Sequence, residues 1–174
     1  IKQITMEVRG KDDLDTQIEQ IFEMYDKGGA QMVYQVMNEE DVKRIMAAPF
    51  TMIASDSGVR EFGAGVPHPR GYGNNARVLG RYVRELKIIS LEDAIRKMTS
   101  LPANTFGLRD RGQIREGFAA DMVLFDEKTV GDKATFEKPH QYAEGFSSVI
   151  VNGELVFDGT QMTDARPGRV LRRP

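Results

Sequence analysis

The sequence predicts an α/β fold, and three observations carry that reading. Helix-spaced and strand-like segments alternate through the first part of the chain, the pattern of helices laid against a parallel sheet. The run from Thr51 to Asp56 is apolar without alternation, as a strand buried on both faces is, and it ends abruptly in a carboxylate. The last third is rich in β-favouring residues and contains Asn152-Gly153 between two apolar runs, a strong hairpin signal.

Taken in order, Leu14, Ile18, Ile21, Phe22 and Tyr25 recur at helical spacing and are followed by Gly28 and Gly29, which predicts an amphipathic helix with a glycine stop. Gln31 to Met37 is short and β-favouring and predicts a strand. Asn38 offers a cap, Glu39 to Asp41 place negative charge on a first turn, and Val42, Ile45 and Met46 give a buried stripe up to Pro49, so a second helix follows. Thr51 to Asp56 is the second strand. From Ser57 to Asn75 the chain is crowded with glycine and proline, and a loop this long at a strand end usually carries function. Helical spacing returns with Val78, Leu79, Tyr82, Val83 and Leu86, and again after Ser90 with Leu91, Ala94, Ile95 and Met98. Beyond Pro102 the character changes: Met122 to Phe125, Val149 to Val151 and Leu155 to Phe157 read as strands of a small β module.

Composition excludes several function classes. A formal net charge of -2 over 174 residues does not make the basic face a nucleic-acid binder needs. Arg166, Arg169, Arg172 and Arg173 form the one basic concentration, which reads as a solvated or partner-docking tail. With Cys at 0 there is neither a disulfide framework nor a thiolate metal site. No apolar run approaches the roughly 20 residues that span a bilayer. The sequence opens on Ile1 rather than Met, and we expect it to continue a longer protein.

Asp56 stands out on position alone, because a carboxylate at the C-terminal end of a buried parallel strand lies where α/β barrels carry their chemistry. A turn-forming aspartate would read the same way. The surrounding residues narrow the choice. Ser55-Asp56, the segment from Pro67 through His68, Pro69 and Arg70 to Gly73, and Arg77 to Glu85 resemble the N-acyl-D-amino-acid deacylase (D-aminoacylase) family of amidohydrolases. The similarity continues through Leu91 to Thr99, Arg111 to Ile114, Gly117, Ala120 to Val123, Val151 to Gly153 and Pro167 to Leu171. It covers nearly the whole chain and is weakest before about residue 30. The chain departs from the family pattern between Asp56 and Pro67, where it carries extra residues including Phe62 to Gly65.

The resemblance implies the last βα units of a (β/α)8 TIM barrel over residues 1-102. A barrel-flanking segment and the C-terminal strands of a small β-sandwich would fill 103-174. It implies zinc-dependent hydrolysis of N-acyl-D-amino acids. Asp56 would take the proton of the attacking water and return it to the leaving amine. Arg70 would hold the substrate carboxylate through its planar donors, and Met37 would line the pocket for the substrate side chain.

His68 and His140 are the two histidines, and no His-x-His pair toward a metal occurs. His68, between two prolines, reads as a loop-ordering or pocket-rim residue, and His140 as structural. No metal ligand is therefore assigned in this chain, with Asp56 the one candidate. The zinc ligands are expected in the N-terminal portion of the same deacylase, against which this chain would pack, since two parallel strands cannot close a barrel. Two other readings share these residues: a cyclic-amide amidohydrolase of the hydantoinase or dihydropyrimidinase kind, and a non-catalytic interaction remnant.

Overall fold

In the computed structural model, residues 1–29, 36–59 and 61–172 are described. The chain divides into two compact units, Ile1–Met37 and Asn38–Pro174. The expected strand from Gln31 falls mostly outside the described residues; Val36 and Met37, at its end, carry no regular structure.

The first unit pairs two helices, α1 (Lys2–Arg9) and α2 (Leu14–Asp26). Asp13 caps α2 by accepting the Thr16 N–H at 2.9 Å. Gly10 ends α1 at φ 69, a left-handed turn that glycine enters without strain. The contacts between the helices are polar, with Arg9 reaching Gln20 at 2.9 Å and Glu19 at 3.1 Å. The apolar stripe of α2, expected to be buried, is instead exposed: Leu14 is 70% and Phe22 63% accessible. The physical reason is that α1 meets α2 through charged and amide groups, so its packing leaves that stripe uncovered.

The second unit begins with α3 (Glu39–Ala47), capped as expected by Asn38, whose side chain accepts the Glu40 N–H at 2.8 Å. The stretch from Thr51 to Asp56 follows in extended form without joining a sheet among the described residues. Here the expectation of a strand buried on both faces fails. Thr51, Ile53 and Ser55 are half-buried while Met52, Ala54 and Asp56 are exposed, because no strand or second helical layer among the described residues lies against the outer side. The inner side is anchored: the Ile53 N–H donates to the Lys97 carbonyl at 3.2 Å.

A helical rod follows, α4 (Arg70–Arg77) running on into a π-helical segment, Val78–Glu85. It packs on residues 130–132 through glycines. A Cβ on Gly73 would stand 2.5 Å from the Asp132 Cβ, and one on Gly80 2.9 Å from the Val130 carbonyl oxygen, closer than real contacts allow. Helix α5 (Leu91–Met98) starts at its expected cap, the Ser90 side chain accepting the Asp93 N–H. The next helix, α6 (Ser100–Phe106), was not expected; its Pro102 sits in the first turn, where a missing N–H does no harm. The core gathers Ala76, Val78, Leu79, Ile89, Ala94 and Val130.

The β module is a three-stranded antiparallel sheet in the order β1 (Met122–Phe125), β2 (Phe146–Val151), β3 (Glu154–Phe157). Its hairpin turns at Asn152 and Gly153, with φ 47 and 86, the positive pair that a type I′ turn requires. The motif residues around it form one network. Arg111 pairs with Asp121 and donates to the Asn152 side-chain oxygen at 2.7 Å. The Asn152 N–H donates to Asp121 at 2.7 Å. No helix among the described residues is long and apolar enough to cross a membrane.

Candidate active site

The extended arm and the rod converge at two side chains. Arg70, the first residue of α4, lies with its Nη2 2.9 Å from Oδ2 of Asp56. Despite the extra residues in the intervening loop, the two positions singled out in the sequence are therefore neighbours. The Asp56 side chain is 87% exposed and that of Arg70 41%, so both remain open to an incoming molecule. Asp56 itself has φ 49, a left-handed conformation that aspartate enters at some cost and that clusters at functional sites.

Three groups hold this pair in place. Pro67 and Pro69 stiffen the approach to α4, and between them His68 accepts the Arg70 N–H on its Nδ1 at 3.1 Å. That bond satisfies an otherwise orphaned donor at the helix start. The His68 ring also meets Phe136 edge-on, centroids 4.9 Å apart. Burial, and then the nearby Arg70 cation, hold the His68 pKa below its ordinary value. The imidazole thus stays neutral and keeps the lone pair the cap needs.

The arm bearing Asp56 is held from below by Lys97, a residue the sequence reading passed over. Its side chain is fully buried, and its ammonium donates to the Ala48 carbonyl and, at 3.2 Å, to that of Thr51. Arg96 adds a bond to the Pro49 carbonyl at 2.7 Å.

The loop from Asp56 to Pro67 is clamped by His140. Its Nδ1 accepts the Gly63 N–H at 3.1 Å and lies 2.9 Å from the Tyr72 hydroxyl, while its Nε2 lies 2.9 Å from the Gly65 carbonyl. A backbone N–H only donates and a carbonyl only accepts, so the tautomer protonated at Nε2 satisfies all three partners. Phe62 stacks on Tyr142 at 4.9 Å, and Tyr72 meets Tyr142 edge-on at 5.7 Å. The reading of His140 as structural agrees with these bonds.

Beside the pair opens a hollow of about 330 Å³, lined by Ser55, Ser57, Val59, Pro67, Tyr72 and Tyr142 among others. A second hollow of about 190 Å³ lies elsewhere, between Leu79, Val83 and Phe125. Met37 is 76% exposed and belongs to the other unit.

Among the described residues no group of three His, Cys, Asp or Glu side chains could hold a metal. A catalytic zinc normally has three protein ligands, so the residues here do not make a zinc site; Asp56 supplies one donor at most.

The chain is 48% identical over 141 residues to a D-aminoacylase of Alcaligenes xylosoxydans xylosoxydans, covering 81% of this chain but 28% of that protein. It superposes on a solved D-aminoacylase with a TM-score of 0.82 at 43% identity, over 99% of this chain and 34% of the other. A Bordetella bronchiseptica N-acyl-D-glutamate deacylase, solved with zinc and a phosphonate inhibitor that mimics the tetrahedral intermediate, matches at 45% identity and TM-score 0.69. That match covers 78% of this chain and 28% of the other. The chain thus spans about a third or less of the relatives it matches. Residues 7–157, which take in the arm, the rod and the sheet, match the amidohydrolase family along their length, and the chain belongs to that family.

Proposed function

We propose that this chain is the C-terminal part of a zinc-dependent enzyme that hydrolyses the amide bond of N-acyl-D-amino acids to a carboxylate and a D-amino acid. The observation that carries the reading is the meeting of Asp56 and Arg70 at 2.9 Å. It joins a carboxylate able to carry a proton to a guanidinium able to orient an anionic substrate. Asp56 takes the proton of the attacking water and hands it to the leaving nitrogen, so one group serves both steps. Arg70 uses its planar fork to hold the substrate α-carboxylate. In the free chain that fork rests on Asp56; a substrate carboxylate replaces this contact and releases the aspartate for proton transfer. Met37 lines the side-chain pocket. The likeness to D-aminoacylase and to the zinc-containing N-acyl-D-glutamate deacylase supports this assignment.

Zinc belongs to the complete protein, with its ligands on segments outside this chain. In that protein residues 1-102 supply the last units of a (β/α)8 barrel. Residues 103-174 supply the flanking segment and the C-terminal share of a β-sandwich. Two observations support this: the extended arm 51–56 has one face uncovered, and the apolar stripe of α2 is exposed.

Kinetics of Arg70 variants in the full-length enzyme test the proposal. Arg70→Ala should cost about 1.5–3 kcal/mol, roughly ten- to hundredfold in kcat/KM, and Arg70→Lys should recover part of it. A substrate whose carboxylate is replaced by a neutral amide should be poor with the wild type and scarcely worse with Arg70→Ala. Equal losses on both substrates would remove Arg70 from carboxylate recognition.

A further inference from the structure

Asp56 and Arg70 stand at opposite ends of the connection 57–69, and a connection of that length brings its ends together only at an entropic cost. Its two ends nevertheless touch, since a Cβ on Gly71 would stand 2.8 Å from the Ser57 Oγ. His68 caps Arg70 from within the connection and so moves with it. A hold from outside comes from His140. On Nδ1 its ring receives the Gly63 N–H at 3.1 Å and the Tyr72 hydroxyl at 2.9 Å, and it gives the Nε2 proton to the Gly65 carbonyl at 2.9 Å. One imidazole thereby ties the middle of the connection to the first turn of α4, which carries Arg70 as well as Tyr72. An acceptor and a donor on separate edges of one rigid ring are what this bridge needs, and neither an amide nor a hydroxyl offers them.

The ring is itself anchored. Beside it the Gln141 side chain donates to the Lys133 and Lys138 carbonyls at 2.7 and 2.8 Å. Glu144 and Gly131 exchange two backbone bonds, at 3.0 and 3.3 Å, and Gly131 adjoins the residues on which Gly73 and Gly80 of the rod pack. Tyr142 backs the Tyr72 ring edge-on at 5.7 Å. His140 thus holds the connection against a fixed base.

We infer that His140 is a positioning residue: its imidazole sets where Arg70 stands against Asp56 and, through Arg70, the preference for a substrate with a free carboxylate. The inference rests on the deacylase reading above, in which Arg70 holds the α-carboxylate. His140 acts through Tyr72 and the connection rather than by contact with substrate.

The test uses the full-length enzyme and reads kcat/KM for N-acetyl-D-leucine divided by that for N-acetyl-D-leucinamide. His140→Ala should lower this ratio at least about tenfold, within the roughly hundredfold that a displacement of ~1 Å costs. His140→Gln, which keeps one acceptor and one donor, should restore part of it. Tyr72→Phe keeps the ring and removes one bond, so its fall should be roughly two- to tenfold; it carries the test if His140→Ala does not fold. In an Arg70→Ala background, His140→Ala should change the ratio by no more than about twofold, the margin within which separate effects add. An unchanged ratio, with equal losses on both substrates as a merely structural residue would give, overturns the inference. So does a full further fall in the Arg70→Ala background. A wild type that hydrolyses no N-acyl-D-amino acid sinks the deacylase reading instead. Crystal structures of full-length wild type and His140→Ala then decide the positioning: a wider Asp56–Arg70 separation in the variant supports it, and an unchanged one overturns it.

Discussion

Asp56 combines an exposed carboxylate with a backbone at φ 49, a strain on the order of 1–2 kcal/mol for an L-residue that the anchored arm and the Arg70 contact sustain. Next to it, His68 makes the site sensitive to acid. Its pKa is depressed in the folded chain by burial and then by Arg70, relative to an ordinary 6.5. Between the two values the unfolded chain binds more protons than the folded one, so stability rises with pH through that window. It is lost as pH falls through the folded value. Protonated Nδ1 also becomes a donor facing the Arg70 N–H, which removes the helix cap. Chemical denaturation at a series of pH values should show this slope below 6.5, and His68→Gln should flatten it; an unchanged slope would assign the effect elsewhere. Asp56 was legible in the sequence because an apolar run ending in a carboxylate is a local pattern. The role proposed for Arg70 comes from the family motif alone; what the structure adds is its place 2.9 Å from Asp56. The clamp by His140 was not legible, because its partners are two backbone atoms and the Tyr72 hydroxyl, all far along the chain, Gly63 being 77 positions away, and no spacing rule reports such contacts.

At the level of elements, α5 fixes the arm and the glycines of the rod fix Arg70. Lys97→Met keeps the buried aliphatic stem and removes the ammonium, so the Thr51 carbonyl loses its donor while the Ala48 carbonyl keeps the Thr51 N–H and hydroxyl. It should cost about 1–3 kcal/mol of stability, read as a lower denaturation midpoint at constant slope in the full-length protein. No change in midpoint would show that the buried ammonium is not holding the arm. Local chemistry predicted the helix starts at Asn38 and Ser90 and the hairpin at Asn152-Gly153, since each depends on a few neighbouring residues. The state of Thr51 to Asp56 was not predicted, because an apolar run is buried only if something lies against it. Likewise, nothing local in the spacing from Val78 to Glu85 distinguishes α from π hydrogen bonding, which here accompanies the close approach of Gly80 to Val130.

On the scale of the whole molecule, the chain covers 34% of the solved D-aminoacylase it superposes on and leaves large apolar side chains such as Leu14, Phe22 and Tyr25 exposed. Exposed apolar faces of this kind mark contact surfaces. Prepared alone, residues 1–174 should bind zinc weakly and show no measurable deacylase activity, as one carboxylate falls short of the three ligands usual for catalytic zinc. Stoichiometric, tight zinc by metal analysis would contradict that. The most direct measurement of the central claim is the turnover of the full-length Asp56→Asn enzyme on an N-acyl-D-amino acid. The amide preserves shape but cannot accept a proton, so kcat should fall by roughly 10²–10⁴-fold, the usual share of general acid–base catalysis, with KM little changed. A variant that keeps a substantial fraction of wild-type kcat would show that Asp56 does not carry the proton.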